Sequence, residues 1–190
     1  MKVTEKQIAE MIADYKEGGY YDAVLNRSWD NMYIHSPKSK HFINGIPSCA
    51  LWRKLIKGKI SDLSLCKDFN TLYNELEKLK IAGIGDLLIY DTATCLGCPN
   101  MIFPDKIYVH AGVKKGLEAL YGDRRYCSNK TLDMNTFIND FPVFADAGLQ
   151  PIHIEDFLCI YHKDLNGNSE KGMRSRKHVR ENKRECTCCC

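Results

Sequence analysis

The chain has 190 residues, 44% of them hydrophobic and 27% charged, the proportions of a globular protein with enough apolar material for a core. No apolar run reaches the roughly 18 residues of a membrane-spanning helix, and the charged start Met1-Lys2-Val3-Thr4-Glu5-Lys6 leads into no signal segment, so a soluble, intracellular protein is expected. The formal net charge of +3 belongs to the end of the chain: residues 166–190 carry seven Lys/Arg against three Glu, leaving −1 for residues 1–165, which excludes a broad basic surface on the body.

In chain order, Thr4 caps a helix running to Tyr15, with Ile8, Met11, Ile12 and Tyr15 on one face, and Gly18-Gly19 ends it. Tyr20–Tyr33 reads as a second helix, Ser36–Lys40 as a loop, and Pro47–Ile56 as a helix with proline in its first turn. Asp68–Lys80 is the clearest helix: Asp68 caps it, and Phe69, Leu72, Leu76 and Leu79 form its stripe. A glycine turn follows, then a helix from Asp86 to Leu96. Met101–Phe103 and Ile107–Val109 are short runs that suit extended chain. Lys114–Tyr121, Leu132–Asp140 and Ile152–Tyr161 are further helices, the last striped by Ile154, Phe157, Leu158 and Tyr161. Glu155 and Asp156 favour the dipole at its start. The expected fold is mainly α, with few or no short strands, in one domain over residues 1–165. Residues 166–190 form a basic tail, expected to be disordered.

The turn Gly83-Ile84-Gly85 carries the functional argument. Two glycines adopt positive φ readily and let backbone approach a partner closely, while Ile84 points inward and locks the two helices. The amides from Gly85 to Leu87 then lie at a helix N-terminus, a natural seat for a phosphate. Such a grip is indifferent to base identity. Asp86 repels a phosphate unless its side chain turns away.

Ile81-Ala82-Gly83-Ile84-Gly85 resembles the core of the helix-hairpin-helix motif, and Phe69 to about Leu120 resembles, more loosely, the helix-hairpin-helix DNA glycosylases. Ala82 stands where the motif usually has proline, and Ile89 where it usually has alanine. The resemblance implies binding to nucleic acid, duplex DNA being expected, through Gly83, Ile84, Gly85 and Leu87. It also implies an aspartate some twenty residues on that steadies an oxocarbenium ion during base excision. By distance that residue is Asp105; by local pattern Ile107-Tyr108-Val109-His110 fits better, and Tyr108 then replaces the acid. The lysine of the bifunctional members is replaced by Leu87, with Lys78 and Lys80 nearby.

Gly112, Lys114 and Lys115 open the next helix and offer a second backbone contact. Arg124-Arg125-Tyr126 and Tyr20-Tyr21 offer cationic and stacking groups. Cys95-Leu96-Gly97-Cys98 has the spacing of half a zinc site, but no second such pair follows within residues 1–165, so no metal and no cofactor are expected. Four of the ten cysteines crowd the C-terminus at Cys186, Cys188, Cys189 and Cys190. Three functions follow: a nucleic-acid-binding protein, a glycosylase-like enzyme acting through Asp105, or an interaction domain in which the hairpin is only architecture.

Overall fold

The computed structural model describes residues 3–30, 32, 41–168, 170 and 172. The loop expected at Ser36–Lys40 and most of the basic tail lie outside them. The fold is mainly α, with two small two-stranded sheets among the described residues, and it divides into two compact units, residues 1–24 with 105–190 and residues 25–104.

The first unit is built around its last helix. It comprises α1 (Glu5–Glu17), α2 (Tyr20–Leu25), and later α7 (Ala111–Tyr121), α8 (Met134–Asp140), α9 (Pro142–Asp146) and α10 (Pro151–Leu165). Thr4 and Gln7 form a reciprocal cap on α1. Helix α10 is buried on most of its surface, through Ile152, Ile154, Phe157, Leu158, Tyr161 and Leu165. Around Phe157 the rings of Tyr15, Phe144 and Tyr161 stack or meet edge to face at centroid distances of 4.7–5.8 Å. The rim of this cluster is tied by Tyr161 donating to Asp14 at 2.6 Å and Tyr15 donating to Asp156 at 3.1 Å. Helices α7 and α10 approach closely because Gly112 and Gly116 lack side chains. A Cβ on Gly112 would collide with Cys159 Sγ, and one on Gly116 would lie 2.7 Å from the Leu158 carbonyl oxygen.

Strands β3 (Lys106–Tyr108) and β4 (Thr131–Asp133) pair antiparallel, Ile107 opposite Leu132. The helix expected from Leu132 therefore begins only at Met134, where Asp133 accepts from the Thr136 amide at 2.9 Å. The extended run expected at Met101–Phe103 is a left-handed turn at Met101, not a strand. The helix expected over Tyr20–Tyr33 stops at Leu25. Asn26, Ser28 and Asp30 are of the residue types whose short polar side chains compete with helical backbone bonding, which favours that end.

His153 is enclosed in this unit, stacked on Tyr21 at 4.0 Å and accepting the Gln150 amide at Nδ1 at 3.0 Å. Burial, with the Lys16 charge added, pushes its pKa down to about 4.

The second unit holds strands β1 (Phe42–Ile43) and β2 (Ile46–Pro47), then α3 (Ser48–Lys57), α4 (Ile60–Leu63), α5 (Phe69–Lys78) and α6 (Asp86–Gly97), followed by a 3-10 turn at Cys98–Asn100. Helix α6 is its centre, with Ile89, Tyr90, Thr92, Ala93, Thr94 and Cys95 all buried. Trp52 of α3 is fully buried, and its indole N–H donates to Thr92 Oγ1 at 3.0 Å. Thr92 in turn donates to the Leu88 carbonyl at 2.7 Å, so the buried polar groups are satisfied in series. Arg27 lies 3.6 Å from Asp91 and donates to Thr94 at 3.4 Å.

Candidate nucleic-acid interface

Helices α5 and α6 pack against each other and are joined by the glycine turn. Asp68 caps α5, accepting the Thr71 amide at 2.8 Å. Ile84 is buried, 4% exposed, which anchors the turn.

The two glycines differ in kind. Gly83 has φ +85°, and a Cβ there would sit 2.5 Å from the His41 Cβ and 2.8 Å from Ser48 Oγ. Both the backbone conformation and the packing demand glycine. Gly85 has φ −96° and ψ 168°, ordinary extended geometry, and a Cβ there would meet nothing within 4 Å. Neither strain nor crowding explains it. Gly85 is the N-cap of α6 and supplies no side-chain acceptor, while its carbonyl receives the Leu88 and Ile89 amides at 3.1 and 3.2 Å. Of the first-turn amides, that of Leu88 is taken by that carbonyl, whereas those of Asp86 and Leu87 have no carbonyl acceptor within the helix and lie beside the open, exposed face of Gly85.

Asp86 is next to that face, and its carboxylate is engaged: Lys80 Nζ lies 2.9 Å from its Oδ1. The pair is half exposed and neutralises the acid locally, with a lysine head beside the helix N-terminus. Leu87 is half-buried in the first turn of α6.

Charge follows the same division. Residues 25–104 contain ten Lys/Arg and seven Asp/Glu, net +3, whereas residues 1–24 and 105–165 contain ten and fourteen, net −4. The unit carrying the hairpin is therefore basic, a feature averaged away when residues 1–165 are counted together. No family model matches the chain, and no match was found among curated proteins or solved structures.

The remaining sequence-predicted site residues lie in the other unit. Asp105 is exposed just before β3, in contrast to the water-excluded setting in which a carboxylate best steadies a developing cation. Gly112 is occupied by the contact with Cys159. Lys114 is half-buried and Lys115 exposed on the first turns of α7. Arg125 is held by Asp123 at 2.7 Å and Arg124 lies 3.8 Å from Glu118, so both charges are locally paired.

Cys95 and Cys98 are buried free thiols, and burial pushes their pKa values up to about 12 and about 11. At both sites burial favours the thiol over the thiolate. Among the described residues no group of three or more His, Cys, Asp or Glu is placed to hold a metal ion, and no helix is long and apolar enough to cross a membrane.

One pair escaped the sequence analysis. Glu155 does not sit at a solvated helix start: it is 2% exposed and bonded through Oε1 to His110 Nε2, itself 3% exposed, at the N-cap of α7. A buried acid–base pair of this kind fixes the α7 start against α10 and is costly to break from one side. Forty-five residues separate the partners, and no local pattern announces them.

Proposed function

We propose that the α5–α6 hairpin binds the backbone of a nucleic acid, with a phosphate seated on the first-turn amides of α6. The observation that carries this reading is Gly85, a glycine that the fold does not require, at an open helix N-terminus. Gly83 makes the corner, Ile84 anchors it, and Leu87 closes the first turn. Lys80 offsets Asp86 so that the N-terminus accepts an anion. The positive balance of residues 25–104 supplies the longer-range attraction. Binding on these terms is weak, salt-sensitive and nearly indifferent to sequence.

The test is Gly85→Val in the full chain, measured by fluorescence anisotropy on a labelled 20-nucleotide DNA, single-stranded and annealed. Extended backbone accepts valine, so the fold survives, whereas the side chain obstructs the amides. Losing charge-assisted hydrogen bonds of about 1.5–3 kcal/mol corresponds to roughly tenfold or greater weakening. Wild-type affinity in the variant would end the proposal.

A further inference from the structure

The β1–β2 ribbon stands against the glycine turn. His41 Cβ and Ser48 Oγ, at the two feet of the ribbon, are the atoms that a Cβ on Gly83 would strike, and the feet are joined by the Ser48 amide donating to the His41 carbonyl at 3.0 Å. Between them the chain reverses at Asn44 and Gly45, with φ of 50° and 78°, the positive pair of a tight hairpin turn. The ribbon is short and sharply set, yet it exposes its apolar side chains: Phe42 is 59% exposed and Ile46 46%. The register places Phe42 opposite Pro47 and Ile46 opposite Ile43. The two exposed side chains therefore project from opposite faces. From the ribbon's foot at Ser48, helix α3 presents Lys54 and Lys57 one turn apart on its exposed side, with no ion-pair partner among the described residues.

We infer that this ribbon is a base-stacking element, and that the partner is a nucleic-acid strand with unpaired bases rather than the duplex that the motif resemblance implies. The inference rests on the backbone reading above. A phosphate of the strand sits at the glycine turn, bases lie on Phe42 and Ile46, and Lys54 and Lys57 take neighbouring phosphates. Charge complementarity selects the partner: the same 80 residues that expose the ring carry net +3. Contacts to about three phosphates, at the glycine turn, Lys54 and Lys57, give a log–log salt slope of about −2 on single strands, so useful affinity needs a second source. An exposed phenyl ring provides it, at about 1–3 kcal/mol per stacked base, and base faces are open only where pairing is absent.

The experiment uses the full chain and three labelled 20-nucleotide probes: a mixed-sequence DNA strand, its duplex, and a strand of abasic sites with the same phosphates. Wild type should bind the base-bearing strand about tenfold more tightly than the abasic one. Phe42→Ala should remove most of that preference and leave duplex and abasic binding unchanged, and Phe42→Trp should restore it. Wild-type discrimination in Phe42→Ala overturns the stacking role, and the Gly85→Val result then stands or falls separately. Loss of self-association by light scattering in Phe42→Ala, with discrimination intact, would assign the ribbon to contacts between copies and overturn the proposal too. If neither variant alters binding, both readings fail.

Discussion

Replacing Gly83 with alanine separates the architectural glycine of the turn from the functional one. At φ +85° an L-residue with a Cβ costs about 1–2 kcal/mol. The added carbon would also sit 2.5 Å from His41 Cβ and 2.8 Å from Ser48 Oγ, so the ribbon foot must shift, an overpacking cost of about 1–3 kcal/mol. Together these give about 2–5 kcal/mol for Gly83→Ala. Both tryptophans, Trp29 and Trp52, lie in residues 25–104, so their fluorescence during urea unfolding reports on that unit. With a slope of about 2 kcal/mol per molar urea, the midpoint should fall by at least about 1 M. Adding His41→Gly relieves the collision with the imidazole-bearing carbon but not the backbone strain, so it should recover only part of the loss. Gly85→Ala should move the midpoint by less than about 0.5 M, since it creates neither strain nor contact. If Gly83→Ala and Gly85→Ala shift the midpoint equally, the distinction between the two glycines is wrong.

Three further outcomes follow from the structure. His153 has a folded pKa of about 4 against about 6.5 unfolded; the fold favours the neutral ring, so its stability is complete above about pH 6.5 and is lost as pH falls toward 4. The loss amounts to about 2 kcal/mol by pH 5. His153→Phe keeps the stack on Tyr21 and should lower the stability difference between pH 7 and pH 5 by that amount in denaturant titrations followed by circular dichroism. His110→Ala leaves Glu155 buried without its partner and should destabilise the first unit by about 3–5 kcal/mol, whereas replacing both with Gln and Met should recover part of this in thermal melts. Asp86→Asn removes the one carboxylate at the α6 N-terminus and should strengthen oligonucleotide binding severalfold at low salt, an effect of about 0.3–1 kcal/mol that fades at high salt.

The hairpin was legible because its signals are local: the Asp68 cap, the Phe69–Leu72–Leu76 stripe and the paired glycines fall within twenty residues. The ribbon was missed because two-residue strands have no period to detect; Asn44-Gly45 between apolar residues was the one available sign. The reading of Leu132 and Asp133 as the start of a helix failed because pairing with Lys106–Tyr108, not local propensity, decides that segment. The Glu155–His110 pair and the Gly112–Cys159 contact are tertiary facts, made by helices brought together across more than forty residues. Charge was misleading for another reason. Summed over residues 1–165 it is −1, and only the division of the chain exposes a basic half.

The most direct test of the central claim is a titration of the isotope-labelled full chain with a 20-nucleotide DNA strand, followed by amide NMR. The amides of Gly83 to Leu87 should shift early and saturably, with Leu87 among the largest changes, and added salt should reverse the shifts. Shifts confined to residues 166–190, with Gly83 to Leu87 unmoved, would contradict that claim.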